Sequence, residues 1–143
     1  MLYDLLTALF ATAGYCLMVN VPRRLWVPAA LGGMLSWGIY LLLKDQIDSV
    51  FYLLVLVSAA CAAYSELLAK LAKAPATIFL IPGLIPLVPG GYVYYMMFSL
   101  VQNDAAGMQY YGKLTAEWAL GLAAGISLIA VLHQILHRPK ANS

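Results

Sequence analysis

A single carboxylate in an apolar stretch is the first side chain of this sequence that could do chemistry. Glu66 lies in the last third of the apolar run 50–71, close in sequence to a stretch broken by prolines. An ionisable residue at membrane depth is by default a functional candidate, here for proton coupling or for binding a substrate amine. Lys70 follows four residues later, so an ordinary ion pair along one helix face is the alternative. Glu66 is therefore the predicted coupling residue.

The second candidate is made of backbone groups in residues 73–91, which read KAPATIFLIPGLIPLVPGG. Its three prolines are Pro82, Pro86 and Pro89. A helix through them would leave three carbonyl oxygens without partners, those of Ile78, Pro82 and Ile85. Each interior proline also costs a helix about 3 kcal/mol relative to alanine. Irregular backbone at membrane depth is tolerated where it is buried in protein or lines a water-filled cavity. The segment is therefore predicted to be a broken membrane helix that lines a path.

Such a break could recognise a substrate through its peptide groups. A helix half that starts near Gly90 and Gly91 would present amide hydrogens and a positive dipole end to a carboxylate, and released carbonyls would face an ammonium group. The predicted substrate pathway consists of Pro82, Gly83, Pro86, Pro89, Gly90, Gly91 and Tyr92. Lys73 at its mouth would attract anions or simply anchor the chain at the membrane surface. The alternative is a packed helix that the prolines only kink.

The remaining polar and aromatic candidates are weaker. Tyr92, Tyr94 and Tyr95, with Met96 and Met97, could form an aromatic gate or an ordinary interfacial belt. Glu117 is expected near the membrane surface. His133 and His137 have the i,i+4 spacing that can hold a metal on one helix face. No third ligand lies nearby in sequence, so neither a metal nor another cofactor is predicted.

Composition excludes several classes of protein. The chain has 143 residues, of which 64% are hydrophobic and only 10% charged, whereas soluble domains carry about 25% charged residues. A net charge of +2 gives no basis for nucleic-acid binding. Cys16 and Cys61 fall inside apolar runs and are expected to be packing residues. The sequence has no nucleophile–base set, nucleotide loop or HExxH motif, so no enzyme is predicted.

The hydropathy pattern predicts an all-α integral membrane protein with about five transmembrane helices in one domain, residues 1–143. The expected spans are 2–19, 26–43, 50–71, a Pro/Gly-broken fourth at 77–101, and 114–136, with 102–113 as a polar loop. Gly32, Gly33, Ser36 and Gly38 give the second span a small-residue face for close helix contact. Gly121 and Gly125 have the GxxxG spacing, which favours a helix contact within the chain or in a homo-oligomer.

Charges on the connections predict the topology, because cytoplasmic loops carry excess Lys and Arg. Five crossings place six basic residues on one side: Arg23, Arg24, Lys70, Lys73, Arg138 and Lys140. Only Lys44 and Lys113 fall on the other side. The pattern therefore predicts a membrane protein with its N-terminus outside and its C-terminus in the cytoplasm. It also favours a full crossing of residues 77–101 over a dip that returns to the same side.

Two stretches resemble a known family. Residues 75–77, Pro-Ala-Thr, and 84–91, Leu-Ile-Pro-Leu-Val-Pro-Gly-Gly, followed by Tyr92, are similar to the signature of the threonine/serine exporter (ThrE-like) family. Residues 20–24, Asn-Val-Pro-Arg-Arg, ahead of Trp26, resemble a second feature of that family. The resemblance places the chain in the C-terminal membrane half of the exporter.

The resemblance implies a function and a partner. In some bacteria this half is a separate small subunit (YjjB-like) that works with a larger membrane subunit, in a pair implicated in succinate export. The chain is therefore expected to be half of a two-component, proton-coupled exporter of small carboxylate-bearing metabolites, with serine or threonine as the first expected substrate and succinate as the second. Two oppositely oriented halves would resemble an inverted-repeat transporter. The alternative is a membrane scaffold that only stabilises its partner.

Overall fold

The computed structural model describes residues 2–136, and every regular element in that range is a helix. The prediction of an all-α protein is therefore confirmed. The helices are α1 (Leu2–Met18), α2 (Trp26–Leu43), α3 (Val50–Ala72), α4 (Thr77–Leu84), α5 (Gly90–Val101) and α6 (Ala105–Leu136). Short 3-10 turns at Arg23–Leu25 and Ile85–Leu87 lead into α2 and follow α4.

Helix length and composition fit a membrane protein. Three helical segments are long and apolar enough to cross a bilayer: Arg23–Leu43, Val50–Ala72 and Ala105–Leu136. The pair Thr77–Leu87 and Gly90–Val101 makes a fourth if it is counted as one span, and its halves are bent by 51°. The apolar helix α1 has 17 residues, about the shortest length that spans a hydrocarbon core.

Helices α3 and α6 run parallel and pack closely through small residues. A Cβ on Gly121 would lie 2.9 Å from Leu54 Cβ and 3.0 Å from the Phe51 carbonyl oxygen. One on Gly125 would collide with Ser58 Oγ and with the backbone of α3. The GxxxG spacing therefore serves a contact within the chain, where only a hydrogen side chain lets the two backbones approach this closely.

The predicted small-residue face of α2 also makes close contacts. Gly33 packs directly on Thr12 of α1, and a Cβ there would collide with the threonine side chain. Gly32 lies against Gly83 of α4: a Cβ on Gly32 would be 3.6 Å from Gly83 Cα. Helix α2 therefore holds α1 on one side and the first half of the broken segment on the other.

Two apolar clusters anchor the broken segment. Phe79 is fully buried with Cys16, Val21, Leu25 and Ala29, and this cluster covers the start of α4. The second cluster contains Leu53, Leu54, Val57, Leu87, Trp118 and Leu122. Leu87, in the 3-10 turn, is itself fully buried. The segment is therefore fixed both before and within its break.

The prediction of a polar loop at 102–113 is wrong, because α6 already begins at Ala105. Asp104 caps this helix: the amide of Gly107 donates a 3.0 Å hydrogen bond to Asp104 Oδ1, which satisfies a free amide of the first turn. The early turns of α6 pair with α5, which runs antiparallel to them. The rings of Tyr92 and Trp118 lie 5.5 Å apart and those of Tyr95 and Tyr111 5.3 Å apart.

Candidate functional site

The chain changes direction between Leu87 and Gly90. Val88 is extended, with φ −65° and ψ 128°, and Pro89 follows with φ −76° and ψ 43°. Neither conformation continues a helix. Helix α5 then begins at Gly90, at 51° to the segment before the break. The predicted interruption is therefore present, and it lies at the last of the three prolines.

The break leaves fewer bare carbonyl oxygens than the sequence predicted. The carbonyl of Pro82 accepts a hydrogen bond from the amide of Ile85. The carbonyl of Ile85 accepts one of 3.2 Å from the amide of Val88. In both bonds the donor amide lies three residues after the carbonyl. Such bonds tighten the last turn of a helix where the usual bond from the fourth residue is lost. These two carbonyls are therefore satisfied locally, which corrects the expectation that they would lack partners.

The first half of the predicted pathway is enclosed by protein. Pro82 and Gly83 are buried, and a Cβ on Gly83 would lie 2.8 Å from Cys61 Sγ. The hydroxyl of Ser36 donates a 2.6 Å hydrogen bond to the Gly83 carbonyl. Helices α2 and α3 thus cover this part of the segment, as the kinked-helix interpretation requires.

The second half of the predicted pathway is open at the protein surface. Gly90 and Gly91 are exposed, and a Cβ on either would meet no atom within 4 Å. The amide of Gly90 donates a 2.8 Å hydrogen bond back to the Val88 carbonyl. Pro89 provides no side-chain cap for α5. The next amides, of Gly91 and Tyr92, belong to the first turn, where amides have no acceptor within the helix. A ligand can therefore approach this helix end closely.

An aromatic-walled pocket of about 190 Å³ lies beside this opening. Its lining includes Trp37, Pro86, Pro89, Gly91, Tyr92 and Trp118. A second pocket of about 240 Å³ also touches Trp37 and Pro86 and is bordered by Asp4 and Thr7 of α1. The two cavities therefore share one wall, made by a tryptophan of α2 and the middle proline of the break.

The aromatic wall is continuous across three helices. The ring of Trp37 stacks on Tyr40 at 5.0 Å, and Tyr40 and Trp118 are 5.5 Å apart. Trp118 in turn meets Tyr92 edge-on at 5.5 Å. Sequence reasoning had singled out Tyr92 but not the two tryptophans. A tryptophan within an apolar span is typical of a membrane interface, so nothing in the pattern marked them as pocket residues.

The predicted pathway residues are therefore only partly brought together. Pro86, Pro89, Gly91 and Tyr92 line one pocket, and Gly90 lies beside it in sequence. Pro82 instead borders another pocket of about 240 Å³, together with Tyr15, Asn20 and Thr77. Among the three tyrosines proposed as a gate, Tyr92 and Tyr95 line the first pocket, whereas Tyr94 is 63% exposed.

Glu66 lies away from this pocket and has a partner that the sequence did not predict. His133 Nε2 of α6 is 3.4 Å from Glu66 Oε2. Leu54, which packs with Leu87 of the break, precedes Glu66 by 12 residues, or about 18 Å of helix. The carboxylate and the open end of α5 are therefore separated along the bundle.

Lys73 ends α3 at the Glu66 end of the bundle. It is exposed and left-handed, with φ 51°, and its amide donates to the Ala69 carbonyl. It therefore stands at the start of the broken segment, and its role at a pathway mouth stays a prediction. His137, the other half of the histidine pair, lies outside the described residues, as do Arg138 and Lys140. Within residues 2–136 no three metal-ligating side chains come together.

Comparison with known proteins agrees with the architecture. The family described as Threonine/Serine exporter, ThrE, matches residues 4–132, nearly the whole described chain. No curated protein and no solved structure matches significantly. The match includes the broken segment, the aromatic pocket and Glu66, and it ends one residue before His133. With its apolar helices and its break at Pro89, the chain belongs to the threonine/serine exporter family and has a membrane-transport role of that type.

Proposed function

We propose that the chain is one half of a two-component secondary exporter that moves threonine and serine out of the cell. The other half is a larger membrane subunit that resembles the N-terminal part of the exporter family. The observation that carries this proposal is the open start of α5, where Gly91 and Tyr92 border an aromatic-walled pocket at the proline break. Transporters commonly bind substrate at discontinuous helices between two halves.

The pocket suits a zwitterionic amino acid. The first-turn amides and the positive dipole end of α5 favour a carboxylate. The faces of Trp37, Tyr92 and Trp118 favour an ammonium group, because aromatic rings attract cations. Asp4, which borders the neighbouring cavity, adds a negative charge on that side. A dicarboxylate such as succinate would use only the amide end, so it is the second substrate.

Export draws on the proton gradient, with Glu66 as a coupling residue. The chain lies in the bacterial inner membrane, its N-terminus outside and its C-terminus in the cytoplasm. Lys73 then stands at the cytoplasmic mouth of the broken segment, and Glu66 lies near the same side. The aromatic pocket lies toward the outer side, so substrate and proton sites are placed in different halves of the membrane.

Efflux from proteoliposomes tests this function. Vesicles hold the full chain together with the larger family subunit, are loaded with labelled threonine, serine, alanine or succinate, and receive an imposed pH gradient. We expect efflux of threonine and serine, slower efflux of succinate, and loss of efflux when the gradient is collapsed. Equal efflux from vesicles that contain the larger subunit alone would contradict a transport role for this chain.

A non-transporting scaffold is the second candidate function. It is favoured by the enclosure of Gly83, where Ser36 and Cys61 fill the space that a substrate path would need. A scaffold would change the amount of folded partner in the membrane but not the efflux per folded complex. Normalising efflux to the purified complex therefore separates the two functions.

A further inference from the structure

Glu66 and His133 join α3 to α6 near one end of the bundle. His133 Nε2 and Glu66 Oε2 are 3.4 Å apart, and the two side chains are 34% and 29% exposed. Both residues sit in helices that are otherwise apolar over most of their length. Ionisable side chains in such helices are rare, pair with one another and mark proton or ion pathways. A pair contributed by two different helices is therefore a stronger candidate for a proton-binding site than either residue alone.

The Glu66–His133 pair lies beyond the close contact of α3 with α6, toward the C-terminal ends of the two helices. Helix α6 contacts α3 closely at Gly125, which lies against Ser58 and the backbone beside it. Glu66 and His133 each follow that contact by eight residues, or about 12 Å of helix. Backbone atoms of α3 lie directly against this glycine, so the two helices are held together at this point. Any separation of the two helix ends beyond it must therefore break the Glu66–His133 contact.

Within residues 2–136, the other titratable groups near the pair are few. On α3, Lys70 follows Glu66 by one turn, and the hydroxyl of Tyr64 donates a 2.8 Å hydrogen bond to the Pro28 carbonyl of α2. Helix α4, which packs on α3, has no titratable residue, and on α2 only Tyr40 is titratable. Helix α5, which packs on α6, has only tyrosines. Glu117, the nearest charged residue before His133 in α6, precedes it by about 24 Å of helix.

We propose that Glu66 and His133 form one proton-binding unit, in which His133 takes up the proton and Glu66 holds the resulting imidazolium, so that protonation closes this end of α3 and α6. The proposal rests on the proton-coupled export proposed above. Imidazole is the side chain whose charge changes between pH 5 and 8. One proton therefore creates an attraction between the helices, and its release removes that attraction. His133 is in this way a coupling residue that acts with Glu66.

The first arm of the test measures the pair directly. The chain has two histidines, so a His137→Asn background leaves His133 as the single imidazole for nitrogen-15 NMR in lipid vesicles. At the pH where half of His133 is charged, Glu66→Gln should lower the charged fraction about twofold or more, because the carboxylate that favours imidazolium is gone. Glu117→Gln is the matched control, since its carboxylate lies 3.7 Å from Lys113 instead, and should change nothing. An unchanged charged fraction in Glu66→Gln would overturn the pair.

The second arm measures coupling in the reconstituted complex. Threonine efflux is followed from pH 5.5 to pH 8 for the wild type, His133→Gln and Glu117→Gln. We expect His133→Gln to flatten the pH profile and Glu117→Gln to retain it. A wild-type profile in His133→Gln would overturn the coupling role even if the NMR arm shows the pair. If the wild type moves no threonine, serine or succinate, the proposed export and its coupling both fail, and the NMR arm alone decides whether the two residues share a proton.

Discussion

The hydroxyl of Ser36 lies 2.6 Å from the carbonyl oxygen of Gly83, so that a side chain of α2 replaces a backbone hydrogen bond at the proline break of α4. The Ser36 hydroxyl oxygen is also 3.0 Å from the carbonyl oxygen of Gly33 in its own helix. A hydroxyl has one proton to donate, and the shorter contact identifies Gly83 as the main acceptor. The irregular backbone is thus tied to a neighbouring helix, as irregular backbone at membrane depth requires.

Replacing Ser36 by alanine should destabilise the protein. A buried carbonyl that loses its partner costs about 1–3 kcal/mol, and thermal unfolding of the purified protein in detergent measures the loss. Ser65→Ala is the matched control, because Ser65 is equally buried but donates to the Cys61 carbonyl of its own helix, at 2.8 Å. Similar losses in both variants would mean that the Gly83 contact has no special weight.

Gly83→Ala should be destabilising, and Cys61→Ala should repair it. The added Cβ would lie 2.8 Å from Cys61 Sγ, while its next neighbour, the Gly32 carbonyl carbon, is at an ordinary 3.5 Å. Overpacking of this kind costs about 1–3 kcal/mol, and removing the sulfur removes the one close contact. The measurement is a double-mutant cycle of unfolding midpoints for the two single variants and the double variant. Additive losses would show that the sulfur is not what excludes a Cβ.

Gly125→Ala should be destabilising in a way that no neighbouring side-chain change repairs. Its Cβ would collide with Ser58 Oγ and also with the Val55 carbonyl oxygen. No substitution removes a backbone oxygen. Helices α3 and α6 would have to separate, at a cost of about 1–3 kcal/mol. Ser58→Ala in the same chain should therefore give little recovery in the unfolding midpoint.

Gly112→Ala is the control for that comparison. It lies in the same helix, but its Cβ would come only within 3.4 Å of the flexible Met96 Sδ. We expect an unchanged or slightly raised unfolding midpoint, since alanine favours helix over glycine by about 1 kcal/mol. Equal losses at Gly112 and Gly125 would contradict the close α3–α6 contact.

Gly90→Leu and Gly91→Leu should lower export without lowering stability. Both glycines are exposed and have no atom within 4 Å of an added Cβ, so the fold has room for the side chain. A leucine there covers the amides of the first turn of α5 and narrows the aromatic pocket. We expect threonine efflux per folded complex to fall at least about tenfold, which corresponds to 1.4 kcal/mol of lost transition-state or binding stabilisation.

Gly14→Leu is the matched variant for this comparison. Gly14 is also exposed with nothing within 4 Å, but it lies on α1 and does not border the pocket at α5. Efflux should stay at the wild-type level there. An equal loss at Gly14 would show that added bulk on any exposed helix face impairs the complex, and the α5 opening would lose its special role.

Most of the helices could be predicted from the sequence. The second span was predicted at 26–43, and α2 covers Trp26–Leu43. An apolar run bounded by polar residues marks a helix of this kind clearly. The start of α6 was missed because Asp104, Ala105 and Ala106 lie in a polar stretch that hydropathy assigns to a loop. The signal that could have found it is the Asp cap, three residues before Gly107.

A bundle of apolar helices with one helix interrupted near Pro89 could be predicted from the residues alone, because hydropathy and the missing proline amide act locally along the chain. Which side of the interruption is closed and which is open depends on how the helices pack. Ser36, Cys61 and Gly32 come from other helices to enclose Gly83, whereas Gly90 and Gly91 meet no neighbour. The partner of Glu66 was decided in the same way, because His133 comes beside it only when α3 and α6 pack in parallel. Contacts between residues this far apart in sequence depend on helix packing, which no local pattern records.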